Sequence, residues 1–405
     1  MSLVTIDLST ALATDPNTLG WMIGSPPPRD QLIRYEDESY YRFPQWRWSF
    51  SHWRELMPTV AVGRGAGPTH PLERAERADL DAVTFVPIGG GAPMTWADSL
   101  IANYTDGIVV LHRGKLVVER YFNGMTAATP HILMSISKSL LGLVAGLMKL
   151  DVERPVTSIV PELKDTAYRG ATVRNLLDMR VGVAFNEDYL ATSGPIVEYR
   201  KATGWNPPDN PPGDLRSFYQ KLKQSDGPHG GRFHYISPNT DLLGWVIERA
   251  SGRRFADLAS ELLWQPIGAE RSAYITVDHL GAPRCAGGFC ATVRDLARVG
   301  LWMCRTGGAW IDDLEKGGDP KAWDEGSFAA YYPGLPMHYR SQWYTLGRST
   351  PLLFGMGIHG QNLFIDRARE LVVAKVSSQA LPLDAARIAQ TMRAVSQTRK
   401  ALASA

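Results

Sequence analysis

The 405-residue sequence has few cysteines, little net charge and no long apolar run. Its three cysteines, Cys285, Cys290 and Cys304, have no histidine or carboxylate beside them at a spacing typical of zinc sites, so we expect no metal there. An odd, sparse set of thiols fits a reducing compartment such as the cytosol. The formal net charge of +2 gives no polyelectrolyte signal, which argues against nucleic acid as a partner.

Membrane and export signals are also missing. No apolar stretch reaches the roughly 18 residues that span a bilayer. The N-terminal residues lack a basic region followed by an apolar one. We therefore expect a cytoplasmic protein with no membrane partner. The motifs G-x-S-x-G, H-E-x-x-H and Walker A are absent as well, so the esterase elbow, the zinc-protease helix and the P-loop do not explain its function.

The most informative stretch is residues 133–140, which contains an S-x-x-K motif formed by Ser135 and Lys138. The apolar residues that follow predict a helix buried on most of its circumference. Three residues apart, the serine and the lysine share one helix face. Burial lowers a lysine pKa, so a neutral amine could accept the serine proton and create a nucleophile. The alternative is a solvated helix cap followed by a surface lysine.

Segments rich in β-formers near both chain ends indicate two hairpins, residues 108–111 with 116–118 and residues 362–365 with 370–376. From residue 151 to about 279 the periodicity is helical or irregular, and no strand is predicted. Helices are predicted at residues 172–179, 214–222, 239–250, 255–263, 288–304 and 384–402. This order predicts an α/β (α+β) fold, with an antiparallel sheet from both chain ends flanked by helices and a mainly helical insertion.

The same pattern predicts two domains. Residues 1–150 and 281–405 would form an α/β domain, residues 151–280 a mainly helical domain, and the active site would lie between them. The first 60 residues are rich in proline and aromatic side chains, as in F-P-Q-W-R-W-S-F at residues 43–50. That aromatic density predicts an extended wrap packed on the surface of a domain and not a disordered tail.

Two further clusters could complete a site around the serine. Tyr235 precedes a predicted helix, and a tyrosine near a cationic lysine can carry a proton to a leaving group. The alternative is a packed loop aromatic with Asn239 as a helix cap. Residues 355–360 spell G-x-G-x-x-G but precede a strand, which excludes a dinucleotide site. A glycine-lined strand lets a substrate lie against the backbone, where an N–H can face an oxyanion; a bulged edge strand is the alternative.

In this order, S-x-x-K, Y-x-S and a glycine-bearing strand resemble the penicillin-recognising serine hydrolases, which have the β-lactamase/transpeptidase-like fold. The sequence is most similar to the branch of 6-aminohexanoate-dimer hydrolases, or nylon-oligomer hydrolases, over most of the chain from about Pro44. The resemblance implies that Ser135 is the acylated nucleophile, Lys138 its general base and Tyr235 the group that protonates the leaving amine or alcohol. It implies no cofactor.

Further site residues follow from the same resemblance. The backbone N–H groups of Ser135 and Ile358 would form the oxyanion hole. Tyr189 matches a mobile tyrosine that closes over the bound amide, and Tyr344 stands where that branch has a tryptophan. The residues expected to bind the substrate are Tyr189, Arg200, Ala286, Tyr344, Gly357 and His359.

Two positions depart from the nylon-dimer enzymes. Arg200 falls where they carry an aspartate that pairs with the substrate ammonium, and Ala286 falls where they carry an asparagine near the substrate amide. An arginine would repel an ammonium and favour a carboxylate. The catalytic residues therefore match better than the named substrate does.

The sequence predicts a serine hydrolase that cleaves a small-molecule ester or amide through an acyl-Ser135 intermediate, and a homodimer is compatible with this expectation. One alternative is a β-lactamase or D-alanyl-D-alanine peptidase, although the lysine of K-T-G is missing. Another is an acyltransferase that uses the same acyl-enzyme. A third is a catalytically silent binding protein of the same fold.

Overall fold

The computed structural model describes residues 8–87 and 90–403. Most of its strands belong to an eight-stranded sheet and a four-stranded sheet. The strands are β1 (Thr59–Val62), β2 (Glu73–Arg74), β3 (Thr84–Phe85), β4 (Met94–Thr95), β5 (Thr105–His112), β6 (Lys115–Tyr121), β7 (His131–Ile132), β8 (Ala273–Thr276), β9 (Phe289–Ala291), β10 (Met337–Arg340), β11 (Trp343–Leu346), β12 (Leu352–Gly357), β13 (Gln361–Asp366) and β14 (Leu371–Ser377).

The larger sheet joins the two ends of the chain. Its strand order is β10-β11-β12-β13-β14-β5-β6-β2. Neighbours pair antiparallel except for the short parallel pair of β2 and β6. In the middle, β14 of the C-terminal part pairs with β5 of the N-terminal part, with Val373 opposite Val110. Both predicted hairpins are present, and the predicted antiparallel sheet from both chain ends is confirmed.

The smaller sheet, with strand order β1-β8-β9-β7, corrects two predictions. No strand was expected between residues 151 and 279, yet β8 lies there and pairs with β1 and β9. All four of its residues are buried, so it shows no alternation of polar and apolar positions. The helix predicted at 288–304 begins later, because β9 comes first and Thr292 then caps the helix by accepting from the Asp295 N–H.

Helices cover the sheets and fill most of the chain between β7 and β8. They are α1 (Leu8–Ala13), α2 (Trp46–Ser49), α3 (Trp96–Ala102), α4 (Ile136–Leu147), α5 (Val156–Ile159), α6 (Val173–Leu177), α7 (Pro195–Ala202), α8 (Leu215–Phe218), α9 (Ser237–Ser251), α10 (Phe255–Ala259), α11 (Val293–Thr306), α12 (Ala309–Lys316), α13 (Pro320–Asp324) and α14 (Ala385–Ala403). Among the described helices none is long and apolar enough to cross a bilayer. The division into two domains remains a prediction.

The central helix α4 is buried as the apolar pattern predicted, since every residue from Ile136 to Ala145 is inaccessible. Glycines on β12 allow this helix to approach the large sheet closely. A Cβ at Gly355 would lie 2.8 Å from the Ser139 hydroxyl, and one at Gly357 would lie 2.9 Å from the Ser135 nitrogen. Larger side chains there would push α4 away from β12. The start of α4 is thereby held against the end of β12.

The described part of the predicted N-terminal wrap is ordered by its aromatic side chains. Tyr40, Phe50 and Trp53 are buried in one apolar cluster together with Trp205 and Tyr274 from the rest of the chain. The hydroxyl of Tyr35 donates to the carbonyl of Gly204 at 2.9 Å, so the wrap is bound to the helical part of the chain. Aromatic rings supply enough apolar area to fix a segment that has little regular secondary structure.

Candidate active site

The S-x-x-K motif faces a cavity. This cavity is bordered by hydroxyl and backbone groups of the motif region, by three charged side chains and by aromatic rings. Its lining residues include Ser135, Ser237, Ala286, Ile358, Glu187, Arg200, Arg284, Tyr41, Tyr189 and Trp205. Residues more than 300 positions apart in sequence therefore meet around the Ser135 hydroxyl.

Backbone geometry places Ser135 at the start of α4. The residue before it, Met134, has a positive φ of 46°, a conformation that non-glycine side chains rarely adopt. The sharp turn ends in Ser135, which is half-buried while its neighbours on both sides are buried. Strain of this kind at the entrance to a helix is typical of functional sites.

Lys138 points its amine at the serine. Its Nζ lies 3.0 Å from the Ser135 Oγ, 3.0 Å from the Ser237 Oγ and 2.7 Å from the Ala286 carbonyl oxygen. With only 1% of its surface exposed, the lysine has left water almost completely. Three acceptors thus surround one amine and fix its position relative to the serine hydroxyl.

Burial lowers the pKa of Lys138 to about 7, because the charged form loses its hydration. The carboxylates of Glu187 and Asp241 act against this effect and raise the pKa, while the Arg284 guanidinium lowers it further. A lysine with such a pKa is partly neutral near pH 7, which is the form that can accept a proton. The lowered pKa expected from the sequence is present.

Tyr235 lies directly before α9 and faces the same lysine. The Nζ of Lys138 is 4.9 Å from the centre of the Tyr235 ring. Burial raises the pKa of the phenol well above its usual value, and a side-chain hydrogen bond with Ser135 partly opposes that rise. Tyr235 therefore stays protonated in the resting site and can serve as a proton donor. The structure brings Ser135, Lys138 and Tyr235 together.

The predicted oxyanion hole depends on the contact between α4 and β12. Ser135 and Ile358 both border the cavity. The tight approach at Gly357 brings the backbone after β12 next to the Ser135 nitrogen. Two neighbouring backbone N–H groups are the usual donors to a developing oxyanion.

Of the six predicted substrate-binding residues, Tyr189, Arg200 and Ala286 line the cavity. The Tyr189 hydroxyl donates to Glu187 Oε1 at 2.9 Å, which holds the ring at the cavity wall. The N–H of Ala286 donates to Asp241 at 2.7 Å, while its carbonyl receives Lys138. A residue with no functional side chain thus helps to position the lysine through its backbone.

The other three, Tyr344, Gly357 and His359, are not among the described residues that line the cavity. Tyr344 is buried and stacks on Phe354 with ring centres 5.1 Å apart. Gly357 has no side chain, which lets β12 approach the start of α4 closely. His359 bonds through its Nδ1 to the Gln379 carbonyl at 2.7 Å, and burial lowers its pKa to about 4. Direct substrate contact by these residues stays a prediction.

Sequence reasoning missed three side chains of this site: Glu187, Ser237 and Arg284. Only Ser237 had a signal, because it is the third residue of the Y-x-S motif. Arg284 is buried in an ion pair with Asp241, and its guanidinium lies 4.4 Å from the Tyr199 ring centre. Within the described residues no group of three or more His, Cys, Asp or Glu side chains could hold a metal ion.

Comparisons with known proteins identify the family of the chain. Residues 97–397 match the family model Beta-lactamase. A 6-aminohexanoate-dimer hydrolase of Paenarthrobacter ureafaciens is 35% identical over 356 residues, which cover 84% of this chain and 87% of that protein.

Solved structures show the same fold. A Bacillus anthracis protein assigned as a 6-aminohexanoate-dimer hydrolase superposes with a TM-score of 0.79 at 25% identity, covering 93% of this chain and 99% of that one. EstCE1, a hydrolase with promiscuous acyltransferase activity, superposes with a TM-score of 0.57 at 17% identity, covering 74% and 98%. The chain therefore belongs to the beta-lactamase family and is a serine hydrolase with the β-lactamase/transpeptidase-like fold.

Proposed function

We propose that this protein hydrolyses small esters or amides through an acyl-enzyme formed on Ser135. The observation that supports this proposal is the 3.0 Å contact between the Ser135 hydroxyl and the amine of Lys138, a buried lysine whose pKa is lowered to about 7. A neutral amine at hydrogen-bond distance is the base that a serine nucleophile needs.

In acylation, the Ser135 Oγ attacks the substrate carbonyl carbon while its proton moves to the Lys138 Nζ. The carbonyl oxygen becomes an oxyanion, which the N–H groups of Ser135 and Ile358 stabilise. When the intermediate collapses, the bond to the leaving amine or alcohol breaks. The leaving group takes the Tyr235 phenolic proton, and the lysine ammonium returns one to the tyrosine.

Deacylation uses the same groups with water in place of the serine. Water attacks the acyl carbon and gives one proton to the neutral Lys138. The oxyanion forms again in the same position, and the bond to the Ser135 Oγ then breaks. The serine oxygen recovers its proton from the lysine, so that the net reaction consumes one water and releases an acid and an alcohol or amine.

We further propose that the acyl group of the substrate is neutral or negatively charged. A positively charged acyl group would be repelled by the Arg200 guanidinium. Arg200 lines the cavity and, among the described residues, forms no ion pair. One of its guanidinium nitrogens donates to the Ala191 carbonyl at 2.7 Å, whereas its buried Nε has no hydrogen-bond partner. A half-buried guanidinium without a carboxylate partner favours an anion as its partner.

The relative from Paenarthrobacter ureafaciens is named for the 6-aminohexanoate dimer. This linear dimer has an ammonium group at one end. If the cation lay near Arg200 in this cavity, like charges would oppose binding. We therefore expect cleavage of neutral or acidic esters in preference to this dimer.

The test compares wild type with Ser135→Ala on neutral p-nitrophenyl esters, on p-nitrophenyl monoesters of dicarboxylic acids and on the linear dimer. We expect serine-dependent ester hydrolysis and little dimer cleavage. Arg200→Gln should remove any preference for the acidic over the neutral esters. Equal turnover by wild type and Ser135→Ala would refute the acyl-enzyme, and efficient dimer cleavage would refute the proposed charge preference.

A further inference from the structure

A chain of hydrogen bonds runs from the lysine to a carboxylate in the cavity wall. Lys138 donates to the Ser237 hydroxyl, and that hydroxyl donates to Glu187 Oε1. The backbone N–H of Ser237 donates to Glu187 Oε2, and Tyr189 donates to Glu187 Oε1. Glu187 therefore touches the residue that holds the lysine and also the tyrosine of the cavity wall.

Among the described residues Glu187 forms no ion pair, whereas the other carboxylate near the lysine does. Asp241 is bound by the Arg284 guanidinium and also receives the Tyr199 hydroxyl and the Ala286 N–H. Its charge is therefore largely compensated. In the described part of the chain, Glu187 receives hydrogen bonds only from neutral donors, and the Arg284 guanidinium that also interacts with its charge is paired with Asp241. Glu187 therefore raises the Lys138 pKa more than Asp241 does.

We propose that Glu187 is a positioning residue, which fixes Ser237 as an acceptor for Lys138 and sets how much of that lysine is protonated. This inference rests on the proposed function, in which Lys138 is the general base. A base works best when it titrates near the working pH. Burial and Arg284 favour the neutral amine, and Glu187 restores part of the charged form.

All groups that face the lysine enter this balance. The negative charges are those of Glu187 and Asp241, and the positive charge is that of Arg284. Tyr235 presents its ring face to the amine, which favours the ammonium. Of these groups, Glu187 can be neutralised with the least disturbance, because it lies half-buried at the cavity wall.

The test is an NMR titration of lysine side chains carrying a ¹³C label at Cε, in wild type and Glu187→Gln. The Lys138 signal is identified by its loss in Lys138→Ala. We expect the Lys138 pKa to fall in Glu187→Gln by roughly one unit. Lys375, a second buried lysine with a pKa lowered to about 7, interacts with Asp106 and not with Glu187, so its pKa should stay unchanged and serves as an internal control.

Asp188→Asn is the matched control, because it removes one charge from the exposed neighbouring residue. Its Lys138 pKa should equal that of wild type. An unchanged Lys138 pKa in Glu187→Gln, or an equal fall in Asp188→Asn, would overturn the proposal. If Glu187→Gln does not fold, Ser237→Ala removes the bridging hydroxyl and should also lower the Lys138 pKa; no change there would equally overturn it.

Kinetics supply the functional readout. In Glu187→Gln the acidic limb of the kcat/KM profile should move to lower pH, while the plateau falls because the base is weaker. General damage to the site would lower the plateau without moving the limb. Labelling of Ser135 by a fluorophosphonate probe separates the two proposals: absent labelling in wild type counts against the serine mechanism, whereas the NMR titration tests Glu187 independently.

Discussion

Two buried lysines in this protein have almost the same local chemistry. Lys138 at the start of α4 contacts the Ser135 hydroxyl, and Lys375 on β14 contacts the Ser377 hydroxyl. Both lysines are nearly inaccessible to water. Burial lowers the pKa of each amine to about 7. Judged only by residue type and by the lysine pKa, both the Ser135–Lys138 pair and the Ser377–Lys375 pair have the features of a nucleophile and its base.

Their surroundings differ. Ser135 is half-buried and borders a cavity, whereas Ser377 is completely buried in the large sheet. The second contact of Lys375 is the Gly360 carbonyl, and the Asp106 carboxylate raises its pKa against the effect of burial. A serine and a lysine with a lowered pKa do not suffice for catalysis. The serine also needs access to a substrate, and the site needs a proton donor such as Tyr235.

The largest expected effect distinguishes the two serines. Ser135→Ala should lower kcat for p-nitrophenyl acetate by at least about 1,000-fold, since removing the nucleophile of a serine protease of another fold costs about 10⁶-fold in kcat. Ser377→Ala should leave kcat near the wild-type value, because its hydroxyl cannot reach a substrate. Steady-state kinetics of the two purified variants measure both effects. A large loss of kcat in a Ser377→Ala variant of normal stability would contradict the assignment of Ser135 and Lys138 as the catalytic pair.

Substitutions of the two lysines should differ almost as strongly in their effect on kcat/KM. Lys138→Met removes the proposed general base, and we expect kcat/KM to fall by about 1,000-fold, within the usual range for such groups. Lys375→Met has similar volume and should retain near wild-type kcat/KM. The measurement is kcat/KM at pH 8, with circular dichroism as the check on folding. Similar losses in both folded variants would mean that Lys375 acts on the site through the sheet.

Part of this site could be predicted from the sequence. The pair Ser135 and Lys138 was found because its spacing puts both side chains on one helix face. Glu187 gave no signal, since its contact with Ser237 joins residues fifty positions apart, and only folding reveals it. The family motifs identified Tyr235, although local pattern alone also allowed a packed aromatic residue.

The fold was predictable wherever periodicity was long or a turn was clear. The helix α4, the two hairpins and the sheet built from both chain ends follow from such signals. The short strand β8 did not, because its four residues are buried on both faces and carry no alternation. The close packing of β12 on α4 depends on Gly355 and Gly357, and a sequence shows only that glycines are present, not what approaches them.

The Lys138 site is also expected to need a proton donor, and a substitution of Tyr235 tests this requirement. Tyr235→Phe removes the proposed proton donor, so cleavage of an amide should slow by about 100-fold. Hydrolysis of a p-nitrophenyl ester should slow much less, because p-nitrophenolate leaves without a proton. The ratio of the two losses, measured with a p-nitrophenyl ester and an anilide of the same acid, is the readout. Equal losses would assign Tyr235 a role in placing the serine and not in proton transfer.

The smallest effect concerns stability and pH. An unfolded lysine titrates near pH 10.4, whereas burial lowers the pKa of Lys375 to about 7 in the folded protein. Between these values the unfolded chain binds more protons, so the free energy of unfolding should rise with pH. Lys375→Met removes one such contribution, and urea unfolding at pH 7 and pH 9 should show a shallower rise than in wild type.

Lys138→Met completes this comparison, because the pKa of Lys138 is also lowered to about 7. If burial dominates both pKa values, the two variants should lose similar parts of the rise between pH 7 and pH 9. A smaller loss in Lys138→Met would mean that Glu187 holds the active-site lysine in its charged form more strongly than Asp106 does for Lys375. An unchanged rise in both variants would show that neither amine is neutral when folded, which would remove the proposed base from the mechanism.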